Sequence, residues 1–146
     1  MKTWIDTNVL VALWGGDEDA RAEVRRAMQE AAEDGWFVVS GCVYAEFLAG
    51  PGRSAKTVTE FLQDAEIPIA WQTGEDVWLL AAERYADYAQ RRRESGSQPK
   101  RFLADFLIGA QATVRGGRLM TFDQRIYAAA FPELRMFGQA SGVPPL

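Results

Sequence analysis

The chain predicts an α/β fold, a parallel sheet with helices on both faces, and three observations carry that expectation. Short apolar runs alternate with segments of helical period, glycines and prolines punctuate the junctions, and strand-like runs pass through polar residues into the helices that follow. Strands alternating with helices across a chain of this size give a parallel sheet covered on both sides.

Trp4-Ile5 opens the first strand, and Thr7-Asn8 leads into a compact helix over Val9 to Trp14 that Gly15-Gly16 stops. Asp17-Glu18-Asp19 sets acids at the positive end of a second helix, in which Ala20, Val24, Ala27, Met28 and Ala31 recur at helical spacing until Gly35. Trp36 to Val39 is a buried-strand candidate, after which Ser40 can cap a helix carrying Val43, Phe47 and Leu48 toward Gly50-Pro51-Gly52. Ser54 to Ala65 reads as a helix with Val58, Phe61 and Leu62 inward, and Ile67 to Trp71 as a third strand that Pro68 assigns to an edge or a strand start. The longest helix runs from about Gly74 to Glu94, with Trp78, Ala81, Ala82, Tyr85 and Ala89 on one face, and ends at Gly96. From Phe102 to Val114 nearly every residue is apolar or small, which predicts a helix deep against the sheet with Asp105 inside it. Gly116-Gly117 ends that helix, Leu119 to Thr121 makes a fourth strand, Asp123 opens a helix through Ala130, and Leu134 to Phe137 can form a fifth strand.

At 146 residues the chain fits one domain, expected over 1–138 with an irregular tail at 139–146. A hydrophobic fraction of 48% with 25% charged residues is that of a folded globular protein rather than a disordered one. The apolar run at the amino terminus breaks at Asp6 and no membrane-length stretch follows, so the cytoplasm is the expected compartment. Cys42, the sole cysteine, closes no intrachain disulfide. Histidine is absent, which excludes Ser-His-Asp triads, Cys-His pairs, histidine general bases and histidine-ligated zinc. A net charge of −4 argues against indiscriminate binding of nucleic acid. The local exceptions are Arg91-Arg92-Arg93 and Lys100-Arg101, which either complement a helix C-terminus or form a local patch for nucleic acid.

Without histidine, any chemistry here runs on carboxylates, metals, hydroxyls or cations. Asp6 follows the first strand at its carboxyl end, the edge where open α/β sheets place ligands, and Asp123 follows the fourth in the same way. Each could equally cap the helix after it. Asp105 sits among Phe102, Leu103, Phe106, Leu107 and Ile108, which implies burial, and an unpaired buried carboxylate is costly. Glu46 lies in a short helix beside Val43, Phe47 and Leu48. Parallel topology lets these acids converge on one sheet edge, where their mutual repulsion calls for a hard divalent cation, Mg²⁺ or Mn²⁺, with positions left for a phosphate.

Four segments in order then resemble the PIN-domain ribonucleases, and among them the VapC-type toxins of bacterial toxin–antitoxin pairs. These are Trp4 to Leu10 with Asp6, Val39 to Phe47 with Glu46, Ala104 to Ala110 with Asp105, and Leu119 to Asp123 with its Thr-x-Asp element. The resemblance implies a five-stranded parallel sheet flanked by helices, with Asp6, Glu46, Asp105 and Asp123 as catalytic, metal-binding acids. Glu46 would act directly or through a bound water, and Asn8 and Thr121 would orient ligands or water. It further implies metal-dependent endoribonuclease activity leaving a 5′-phosphate and a 3′-hydroxyl, a homodimer, and silencing by a small VapB-like antitoxin.

Three other readings compete. Haloacid-dehalogenase-like phosphatases also place an Asp after the first strand, but want a second acid where this chain has Asn8, and their lysine would have to be Lys56 or Lys100. Receiver domains fail similarly, lacking the acidic pair and the late lysine. A PIN-like module that binds RNA or protein without cutting is the non-enzymatic alternative; degenerate members usually lose acids that this chain keeps.

Overall fold

The computed structural model describes residues 1–98 and 100–137; the expected tail at 139–146 lies outside the described residues. Five strands form a parallel sheet: β1 (Lys2–Ile5), β2 (Trp36–Ser40), β3 (Ile69–Ala70), β4 (Arg118–Met120) and β5 (Arg135–Met136), in the order β3-β2-β1-β4-β5. β1 is central, with Trp4 opposite Val38 on one side and Leu119 on the other. Its neighbours therefore cover both of its edges, and Trp4 and Ile5 are buried.

Helices α1 (Thr7–Gly15) and α2 (Glu18–Ala32) connect β1 to β2, and α3 (Gly41–Leu48) and α4 (Ala55–Asp64) connect β2 to β3. α5 (Glu75–Glu94) and α6 (Leu103–Arg115) return the chain across the sheet to β4, and α7 (Gln124–Ala130) leads to β5. α1 packs on α2 and α3, and α5 packs on α6 and α7. Right-handed crossovers that step along the sheet in opposite directions, β1 to β2 to β3 and then β3 to β4 to β5, put these two groups on opposite faces of the sheet. The order reverses at β1, so the crevice past the carboxyl ends of β1 and β4 is the fold's natural ligand position.

Local chemistry sets most boundaries. The Asp17 side chain accepts from the Ala20 N–H to start α2, Ser40 does the same for Val43 at α3, and Ser54 and Thr57 form a reciprocal capping box at α4. Gly116 and Gly117 end α6 with φ of 83° and 109°, backbone that a residue with a Cβ adopts at a cost. The third strand is shorter than Ile67 to Trp71 and lies at the sheet edge, as Pro68 requires.

Two expectations need correction. On α5 the inward stripe is Val77, Ala81 and Ala89, with Tyr85 and Tyr88 against Phe106; Trp78 and Ala82 face outward. Val77 rather than Trp78 starts the inward stripe, while Ala81, Tyr85 and Ala89 keep the expected face. On α6, Phe102 precedes the helix and is 77% exposed, and Leu103 is also exposed. Burial begins at Phe106, so the first turn projects past the sheet edge and only the following turns lie deep.

Candidate active site

The carboxyl edge of the sheet opens into a cleft of ≈ 370 Å³ lined by Asp6, Thr7, Asn8, Glu46, Asp105 and Asp123, with Val11, Arg101 and Tyr127. All four acids expected from the sequence therefore face one space. Each arrives from a different element: Asp6 from the end of β1, Glu46 from α3, Asp105 from the first turn of α6, and Asp123 from the turn before α7.

Asp6 is the deepest. It caps α1 and belongs to the cleft at once: Oδ1 accepts from the Thr7 N–H at 2.8 Å and Oδ2 from Thr121 Oγ1 at 2.7 Å. Burial outweighs these bonds and pushes its carboxyl from 3.8 up to about 6, with a smaller push from the charge on Asp105. Asp105 is half-buried in a helical first turn rather than sunk in the core as its apolar neighbours suggested, since Phe102 and Leu103 turn to solvent. Desolvation, with the charges of Glu46 and Asp123, still raises its carboxyl above the ordinary range.

Thr121 organises the floor. Besides donating to Asp6, its Oγ1 accepts from the Asp123 N–H at 3.0 Å and from Asn8 Nδ2 at 3.4 Å. Asn8 Oδ1 in turn accepts from the Phe122 N–H at 3.3 Å, so Asn8 and Thr121 tie the end of β1 to the end of β4. Asp123 makes no side-chain cap for α7, which removes the capping explanation for that acid. Its Oδ2 instead meets Arg101 Nη1 at 2.8 Å. Glu46 Oε1 accepts from Thr7 Oγ1 at 2.7 Å.

Of the five cationic residues expected to meet RNA, Arg101 alone lines the cleft. Arg91, Arg92 and Arg93 form the last turn of α5, where they complement the helix dipole, and Arg92 Nε donates to the Gln98 carbonyl. Lys100 is exposed, its backbone N–H donating to Tyr88 Oη. Two cleft residues escaped the sequence reading in their roles. Thr7 anchors Glu46, and Tyr127 lies four residues after Asp123, a helical spacing that could have marked it.

Among the described residues, no three acidic or cysteine side chains stand close enough as placed to hold a metal ion. Thr7, Thr121 and Arg101 occupy carboxylate oxygens that a cation would claim. The donor set nevertheless suits a hard cation: it is all oxygen, and its carboxylates destabilise one another, as Asp6 and Asp105 register. Cys42 is not among the residues lining the cleft, and burial and the adjacent acids lift its thiol to about 11.

A family model for the PIN domain matches residues 4–132. Comparison with curated proteins by sequence finds no relative. Among solved structures, the chain is similar to one in VapBC2 from Rickettsia felis bound to a DNA fragment from its promoter, at 18% identity and TM-score 0.63, covering 93% of this chain and 97% of that one. It is similar to a chain of VapBC-1 from nontypeable Haemophilus influenzae, at 17% identity and TM-score 0.62, covering 93% and 96%. A toxin–antitoxin complex from Klebsiella pneumoniae aligns over 99% of this chain and 98% of that one, at 21% identity and TM-score 0.57. At these identities the likeness is one of fold.

Proposed function

Because the chain belongs to the PIN-domain family, we propose that it is a metal-dependent endoribonuclease, the toxin of a toxin–antitoxin pair, cutting RNA at the four-carboxylate cleft. The observation that supports this most is the convergence of Asp6, Glu46, Asp105 and Asp123 on one cleft at the sheet's carboxyl edge. Mg²⁺ or Mn²⁺ is the cofactor that this donor set suits, held by Asp6, Asp105 and Asp123, with Glu46 binding directly or through water. When bound, such an ion lowers the pKa of water and offsets charge on the phosphoryl group.

The chain's own residues do the rest. Thr121 and the Thr7 N–H fix both oxygens of Asp6, so the carboxylate is oriented before substrate arrives. Asn8 and Thr121 hold the ends of β1 and β4 in register around it. A cleft carboxylate, Glu46 or Asp105, takes the proton of the attacking water. Water oxygen bonds to phosphorus, the bond from phosphorus to the 3′ oxygen breaks, and the products carry a 5′-phosphate and a 3′-hydroxyl. Arg101, released from Asp123, faces the phosphate with its guanidinium, and Arg91, Arg92, Arg93 and Lys100 guide the more distant backbone.

A VapB-like antitoxin is the proposed partner, in keeping with toxin–antitoxin assemblies among the structural neighbours. A homodimer is the proposed assembly, and exposed Trp71, Trp78 and Leu79 give it apolar surface to bury. No helix among the described residues is long and apolar enough to cross a membrane, and we place the protein in the cytoplasm with its substrate. The test is cleavage of total RNA by the purified chain with Mg²⁺ or Mn²⁺ and with EDTA. Metal-dependent cleavage that Asp6→Asn and Asp105→Asn each abolish is the expected result. A module that binds RNA without cutting would give no cleavage in any arm, and activity retained in both variants would overturn the site.

A further inference from the structure

Two buried side-chain polar atoms among the described residues lack any hydrogen-bond partner, Arg53 Nε and Tyr127 Oη. Arg53 is explained locally: its guanidinium lies over the Phe47 ring and Nη1 donates to the Phe47 carbonyl, away from the acids. Tyr127 has no such account. It is 1% exposed, it lines the acid cleft from α7, and its hydroxyl is near enough to Asp6 to help hold that charge without a well-formed bond to it.

A buried hydroxyl without a partner is costly, and native proteins keep one where something else completes it. We propose that Tyr127 is a positioning residue whose hydroxyl oxygen accepts from a water brought into the cleft by the divalent cation, a bond made only when the site is loaded. The inference rests on the metal-dependent reading above and adds to it a residue outside the four acids.

The arrangement has a double signature. Tyr127→Phe removes an unsatisfied buried group from the unloaded chain, so in EDTA its melting temperature should equal or exceed that of the wild type. With Mn²⁺ it should lose the bond to that water, which predicts about tenfold weaker Mn²⁺ binding by titration calorimetry and a smaller Mn²⁺-induced rise in melting temperature. An unchanged Mn²⁺ affinity in the variant overturns the proposal. So does a lower melting temperature in EDTA, which would mean that the hydroxyl already serves the unloaded fold, bonded to Asp6. Asp6→Asn serves as the control: if the wild type binds Mn²⁺ no better than this variant, the carboxylate-site reading fails together with the inference. If the wild type binds and Tyr127→Phe binds equally, the inference fails alone.

Discussion

Asp6→Asn should stabilise the metal-free protein while destroying its activity, and the size of the effect follows from the burial of Asp6. Lifting that carboxyl from 3.8 to about 6 corresponds to about 3 kcal/mol of unfavourable ionisation in the folded chain at pH 8. An Asp whose folded pKa is raised costs stability above the folded value, and the cost is relieved as pH falls through about 6 toward 3.8. Asparagine removes the charge and keeps an acceptor for the Thr7 N–H, but its amide nitrogen then faces Thr121 Oγ1, which already accepts from Asp123 and Asn8. The variant should therefore gain roughly 1–3 kcal/mol at pH 8 in EDTA, some of the full value being lost to altered bonding at Thr121. For a domain of this size that is a rise of roughly 3–10 °C in melting temperature. At pH 5 the wild type has recovered about half of the deficit, so the gap should narrow by about half. Thermal denaturation at both pH values in EDTA measures it, and added Mn²⁺ should then stabilise the wild type alone. A variant no more stable than wild type at pH 8, or a gap that does not narrow at pH 5, would refute the reasoning.

Thr121→Val deletes the hydroxyl that donates to Asp6 and accepts from Asp123 and Asn8. It should cost roughly 1–3 kcal/mol in urea denaturation and most of the activity, with Thr121→Ser restoring both; a fully active valine variant would contradict the organising role. Arg101→Ala should weaken RNA binding and reduce the salt dependence of log K by about one unit of slope. Equal slopes by fluorescence anisotropy would place Arg101 off the RNA path. Gly109→Ala drives a Cβ into the ring of the buried Phe131, and the overpacking between α6 and the residue that ends α7 should cost roughly 1–3 kcal/mol. A melting temperature equal to the wild type would show that Phe131 yields freely.

The sequence carried the fold because its punctuation is local. Capping residues such as Asp17, Ser40 and Ser54, and the glycines after α6, act within a few residues of where they stand. The face that a helix turns inward depends instead on its neighbour. Trp78 is as apolar as Val77, and nothing in α5 itself says that α6 covers the latter. Phe102 misled in the same way, since an apolar residue before a helix reads as core until the sheet edge is located. In the candidate site the acids were legible as types at strand ends. Their partners were not: Thr7 with Glu46 and Arg101 with Asp123 are pairings across the fold that only packing creates. Tyr127 went unremarked because a tyrosine in a short apolar helix looks like core, and its hydroxyl gains meaning only beside the acids.

The most direct test of the carboxylate cleft as a hydrolytic RNA site is the chemistry of the ends it makes. A single-stranded RNA and its DNA counterpart, incubated with the purified chain and Mn²⁺, can be read by mass spectrometry. Water attack predicts RNA fragments with 5′-phosphate and 3′-hydroxyl termini, lost with EDTA and in Asp105→Asn, and the proposed preference for RNA separately predicts intact DNA. Fragments ending in a 2′,3′-cyclic phosphate, or cleavage that persists in EDTA, would contradict the account.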